Sequence, residues 1–163
     1  MKHISDPKAA NVNIPAQTPN GKLFLNHNQD IVHGGAPVLV EIDEIHTDFT
    51  DGIEDIANHK ITPGVIGWYL VIGKVCWESA EIDIRYDLSL TLNPGAAHRL
   101  FDSQVCSLTG GTGAQFHCKV VDVIKITNVN QYFELKVVNN SVADHATLIN
   151  GHDYTFMTVQ RVR

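Results

Sequence analysis

The stretch Ile61 to Trp77, "ITPGVIGWYLVIGKVCW", decides how this chain folds. Pro63 and Gly64 mark a turn, and the run that follows reads as a β-strand. Side chains of a strand alternate between its two faces. Trp68, Leu70 and Ile72 therefore point one way, and Tyr69, Val71, Val75 and Trp77 the other. An antiparallel sheet commonly keeps one face in water, yet this strand is apolar on both. The Tyr69, Val71, Val75 side is expected to fill a sandwich interior against Leu88 and Leu90. The Trp68 side needs a second cover: the chain's own N-terminal segment, a long loop, or sister copies meeting around a symmetry axis.

Outward from this stretch, strand follows strand. "APVLVEIDEI" alternates Val38, Val40 and Ile42. "EIDIRYDLSLTLN" alternates Ile82, Ile84, Tyr86, Leu88, Leu90 and Leu92 with polar residues, predicting one dry face and one wet face. "AQFHCKVVDVIKIT" offers Phe116, Cys118, Val120, Ile124 and Ile126, and "QYFELKVVN" offers Phe133, Leu135 and Val137. The chain closes on "DYTFMTVQRVR", with Tyr154, Phe156, Met157 and Val159. "TPG", "NPG", "TGGTG", "VNNS" and "NGHD" separate the strands, and "DGIEDIANHK" has room for one helical turn. Short strands with regular turns predict an all-β antiparallel sandwich or barrel. Residues 1–30 differ: Pro7, Pro15 and Pro19 break them, asparagine recurs, and apolar residues are isolated until "KLFL". The expected organisation is an extended N-terminal arm over 1–30 and a single domain over 31–163.

The totals narrow the function classes. The 163 residues have room for one domain and an extension. A net charge of −6 argues against nucleic acid, which calls for a basic face, and against an anionic membrane surface. Charged residues make up 18%, below the roughly 25% usual for soluble domains, so part of the surface is expected to meet protein. Cys76, Cys106 and Cys118 are odd in number and widely spaced, which predicts reduced packing thiols and assembly in a reducing cytoplasm. "MKHISDPKAANVNIP" lacks the apolar core of a signal peptide, and no run approaches the roughly 20 apolar residues of a membrane helix.

"ITP" followed by "GWYLVIGKV" resembles the strand that opens the second half of tumour-necrosis-factor-like jelly rolls, including the globular heads of complement-type proteins. Gly67, Tyr69 and Pro63 carry the likeness, and "YTFMTVQRV" is similar to the final strand of such domains. The resemblance covers about residues 36–163. It implies a ten-stranded antiparallel jelly-roll sandwich that assembles as a threefold homotrimer. Similar domains occur in tailed bacteriophages as capsid-decorating proteins and tail-fibre heads, and the Asn-rich, Pro-broken arm is similar to arms that grip a capsid shell.

No residue pattern demands catalysis. A cupin-type metal enzyme would need His-x-His, which is absent, and His98, His117, His145 and His152 are too far apart for a local ligand pair. "TGGTG" lacks the Lys-Ser/Thr of a phosphate loop. Ser103 and Ser107 lack a nucleophile-elbow context. "HTDFTD", with His46, Asp48 and Asp51, reads as a solvated acidic loop. Glu81, Asp83 and Asp87, with Arg85 among them, read as a wetted strand face.

The expected function lies in surfaces: a non-enzymatic virion structural protein without metal or cofactor. It is expected to be a trimeric capsid decoration (cement) protein on the outside of the virion, attached to the major capsid protein shell or neighbouring virion subunits through its arm. The arm residues expected to bind are Ile4, Val12, Ile14, Leu23, Phe24 and Leu25. The expected trimer interface is Trp68, Tyr69, Leu70, Ile72 and Phe156. The alternative is a receptor-binding tail-fibre head that holds a cell-surface glycan in loops 94–102 and 107–115. Sugars stack on loop aromatics, and there only Phe101 offers one.

Overall fold

The computed structural model describes residues 19–78, 84–93, 99–106, 115–140 and 145–162. Their strands are β1 (Asn20–Phe24), β2 (Gln29–Val32), β3 (Val38–Leu39), β4 (Glu44–Thr50), β5 (Glu54–Asp55), β6 (Lys60–Ile61), β7 (Gly67–Glu78), β8 (Tyr86–Asn93), β9 (Arg99–Cys106), β10 (Phe116–Ile126), β11 (Tyr132–Asn139), β12 (His145–Leu148) and β13 (Phe156–Arg161). One 3₁₀ turn, Ile56–Asn58, sits where a helical turn was expected, and Asp55 caps it by accepting from the Asn58 N–H. Among the described residues no helix is long and apolar enough to cross a membrane.

Two antiparallel sheets pack face to face. Sheet A runs β2-β12-β7-β13-β1-β4, with β10 along the other edge of β7. Sheet B runs β5-β6-β11-β8-β9, with β3 beside β11. The longest ladder joins β7 to β10, from Trp77 opposite Phe116 to Gly67 opposite Ile126. The period-2 pattern of β7 does what the sequence requires. Tyr69, Val71, Val75 and Trp77 are fully buried between the sheets, facing a layer that includes Leu88, Leu90, Phe133, Leu135 and Val137. Trp77 packs on Tyr86 with ring centroids 4.8 Å apart. Gly73 lies in this inner row because the sheets approach closely there: a Cβ on it would sit 2.4 Å from Leu135 Cδ2. The architecture is an all-β antiparallel jelly-roll sandwich.

Three expectations need correction. The arm does not extend to residue 30: residues 20–24 form β1, hydrogen-bonded between β13 and β4, and β2 begins at Gln29. "KLFL" was too short to show a period of its own, but alternation carries Leu23 into the core, and Leu25 joins it. The run Val38–Ile42 is not one strand. Its first two residues pair with β11 in sheet B, and the chain then crosses to sheet A, where the Asp43 N–H reaches the Phe24 carbonyl. Gln29 fixes the crossing: its amide donates to the Leu39 carbonyl and accepts from the Glu41 N–H. Last, the polar side of β8 is not wet. Ser89, Thr91 and Asn93 are buried, and their side chains bond the Lys136 carbonyl, the Glu134 carbonyl and the Glu134 carboxylate. Short polar side chains can turn back to the neighbouring strand in this way, so alternation alone does not distinguish a wet face from a satisfied one. Arg85, just before β8, pairs with Asp87 at 2.6 Å.

Candidate functional site

Sheet A turns its second face outward, and the strand registers place its side chains in rows. Val121 of β10 stands opposite Ile72 of β7, which stands opposite Thr158 of β13. Val123, Leu70 and Gln160 form the adjoining row. Lys125 and Trp68 begin a third at one end, and Lys119, Lys74 and Phe156 a fourth at the other. Phe24 of β1 extends the fourth row beyond Phe156.

The middle of this face is apolar and only partly covered. Trp68 is 43% exposed, Val121 47% and Val123 49%, while Leu70 and Ile72 between them are half-buried. Ile66, just before β7, and Val162, just after β13, extend the patch past Trp68 at exposures of 53% and 47%. Contiguous apolar surface of this kind marks contact sites in soluble proteins.

Cations frame the apolar centre. The Lys125 ammonium lies 5.8 Å from the Trp68 ring centroid, and Lys22 lies 4.5 Å over the Phe156 ring. Lys74 donates to the Asp153 carbonyl at 2.6 Å. Burial, against the attraction of Asp153, holds Lys22 below the ordinary lysine range. At the same end, His117 Nε2 lies 3.9 Å from Cys76 Sγ, and the His117 ring stacks with Tyr154. Burial pushes the Cys76 thiol up and His117 down, with Lys74 adding to the second effect. Both groups are therefore neutral near pH 7, which is not the thiolate–imidazolium state of an activated cysteine. Phe24, His46 and His152 make a ring cluster with centroids 5.5–6.4 Å apart. Among the described residues no group of three His, Cys, Asp or Glu side chains is placed to hold a metal ion.

The structure divides the residues singled out from sequence. Trp68, Leu70, Ile72 and Phe156 share the outward face. Tyr69 does not: it is fully buried between the sheets and donates its hydroxyl to the Val65 carbonyl. Of the arm residues, Leu23 and Leu25 are core and cannot reach a partner while β1 is folded. Phe24 is half-buried on the outward face. Ile4, Val12 and Ile14 lie outside the described residues, as do 94–98 and 107–114 of the two candidate glycan loops. Sequence reasoning missed Val121 and Val123. Their signal was present in "KVVDVIK", where apolar residues fall on both parities of the strand.

No family profile matches the chain, and no curated protein matches its sequence. Solved structures do match its fold. The Eiger TNF from S. frugiperda superposes with a TM-score of 0.68 at 8% identity, covering 90% of this chain and 93% of that one. Murine APRIL at pH 8.5 gives 0.64 at 11% identity over 88% and 99% of the two chains. The globular domain of the zebrafish complement 1qA protein gives 0.62 at 10% identity over 89% and 98%. The likeness is one of backbone path, and it covers both sheets.

Proposed function

We propose that this chain is a non-enzymatic structural module that self-associates as a homotrimer through the outward face of sheet A and decorates a capsid through residues preceding β1. The observation that carries the reading is the patch of Trp68, Leu70, Ile72, Val121 and Val123 on the outward face of β7 and the edge strand β10. Fully burying a side chain of this class contributes about 1.5–3 kcal/mol, so those already half covered have about half of that left to gain. Five together offset a useful part of the roughly 4–15 kcal/mol that association costs. The jelly-roll fold supports the trimer, since the domains that the sequence resembles are threefold assemblies.

The arm reading narrows to residues 1–18, with Ile4, Val12 and Ile14 as its apolar contacts. Its root is fixed, because the Pro19 carbonyl accepts from the Arg161 N–H at the end of sheet A, beside exposed Ile66 and Val162. Three arms carried by one trimer raise the effective concentration at a shell, so weak single contacts suffice. Binding only the assembled shell then stabilises that shell by mass action. The test is to delete residues 1–18 and measure binding to undecorated capsids: the truncated protein is expected to remain folded and to lose binding. Full binding without the arm refutes the attachment, and binding to a glycan array instead of capsids favours a receptor-binding head.

A further inference from the structure

Among the described residues β10 is the longest strand with a partner on one side only. It pairs with β7 from Phe116 to Ile126, and no other described strand joins it. Such an edge presents every second backbone N–H and C=O to an incoming strand, and natural sheets have to close it. The local sequence invites a strand. "KVVDVIK", residues 119–125, is rich in β-branched apolar residues, and a single acid, Asp122, interrupts them. Aspartate is a poor strand former, and this one falls on the inward parity. Val120 and Ile124 of the same row are buried between the sheets, and Val71, its register partner on β7, is fully buried. Asp122 itself is only half-buried, and its Oδ1 accepts from the N–H of the next residue, Val123, at 2.7 Å. A strand N–H that bonds a side chain in this way is not part of the β7 ladder. The odd-numbered residues of β10 therefore turn their N–H groups to the open edge, and the Asp122 carboxylate sits there with them.

A strand arriving at this edge meets two obstacles. The Val123 donor is already taken, and the incoming backbone has to lie against a carboxylate. To admit the strand, Asp122 must give up its bond and be enclosed as an unpaired charge, which costs more than a new peptide hydrogen bond returns. Without the carboxylate, the same run of Val120, Val121, Val123 and Ile124 has the composition of a self-pairing strand. Two copies can then join β10 to β10 across a twofold axis, and each sandwich becomes half of one continuous sheet. That contact competes with the outward face, because β10 contributes Val121 and Val123 to the apolar patch.

We infer that Asp122 closes the β10 edge against strand addition, so that copies of this chain meet by the outward face of sheet A and not edge to edge. The closing of the edge stands on the geometry of β10; only the choice of the face rests on the self-association proposed above. The test compares the full native chain with Asp122→Val, with the milder Asp122→Thr, and with Glu78→Val, which removes the same single charge from the exposed end of β7. Light scattering over a wide range of protein concentration reads the mass, thermal melts confirm folding, and hydrogen exchange of residues 119–126 reads the edge. Both Asp122 variants are expected to rise to about twice the native mass as concentration increases, one copy added at each edge, with slower exchange at 119–126. The native and Glu78→Val proteins are expected to do neither. Folded Asp122 variants that keep the native mass overturn the inference, as does an equal rise in Glu78→Val. If neither Asp122 variant folds, the native chain still decides: residues 119–126 are expected to exchange faster than 69–74 of β7, which are paired on both sides, and equal protection overturns an open edge. A native protein that is a single chain at every concentration overturns the self-association reading, while the rise in mass on replacing Asp122 still decides the edge.

Discussion

Replacing Gly73 by alanine tests the inter-sheet packing on which the outward face depends. Elsewhere in a strand, Gly→Ala is expected to stabilise by about 0.4–1 kcal/mol, because the unfolded chain loses freedom. At Gly73 the new Cβ would lie 2.4 Å from Leu135 Cδ2 and 2.9 Å from Val120 Cγ1. Ordinary contact begins near 3.4 Å, so Leu135 has to retreat by about 1 Å. It has little room, being fully buried, in register with Leu90, and bonded through its carbonyl to the Val40 N–H. Overpacking of this kind costs about 1–3 kcal/mol, which outweighs the entropic gain. For a chain of this size that lowers the melting temperature by about 2–12 °C, read at fixed protein concentration because assembly also shifts it. Leu135→Ala alone is expected to cost about 2–5 kcal/mol. In the double variant the methyl introduced at position 73 enters the space that the leucine vacated, so the two losses should fall short of their sum by about 1 kcal/mol or more. A neutral or stabilised Gly73→Ala protein, or strict additivity with Leu135→Ala, refutes the claim that the sheets meet at this point.

Two further outcomes separate the remaining parts of the account. Leu25→Ala should lower stability by about 2–5 kcal/mol in urea unfolding, whereas deletion of residues 1–18 should leave the midpoint within error, since Leu25 belongs to the core; equal effects would return β1 to the arm. His117 is held below the ordinary imidazole value of 6.5 by burial and then by Lys74, so the unfolded chain takes up its proton first as pH falls. The stability present above pH 6.5 is therefore lost as pH drops through the folded value, and His117→Gln should flatten the change in urea midpoint between about pH 7.5 and 5.5; an unaltered slope contradicts that assignment.

Much of the fold was legible because strand periodicity is local. β7, β10 and β11 follow their alternation, and Tyr69, Val120 and Phe133 fall on the buried side as their parity requires. What failed depended on partners distant in sequence. "KLFL" becomes a strand through β13, more than 130 residues away, and a four-residue run carries no trace of that pairing. Ser89, Thr91 and Asn93 read as wet because nothing local shows that β11 supplies their hydrogen-bond partners. The outward face was half visible: one strand showed Trp68, Leu70 and Ile72, but Val121 and Val123 joined them only once the register of β10 on β7 was known. Gly73 stands where Leu135 of the facing sheet approaches closely, a contact that no local pattern around the glycine identifies.

The central claim is that sister copies seal the outward face of sheet A. Light scattering on the native chain beside Leu70→Asp with Val121→Asp tests it most directly, because both positions lie on that face and outside the buried core. The account predicts a native mass three times 18.0 kDa, about 54 kDa, and a folded 18.0 kDa single chain for the double variant. A native protein that scatters as a single chain, or a variant that keeps the native mass, contradicts it.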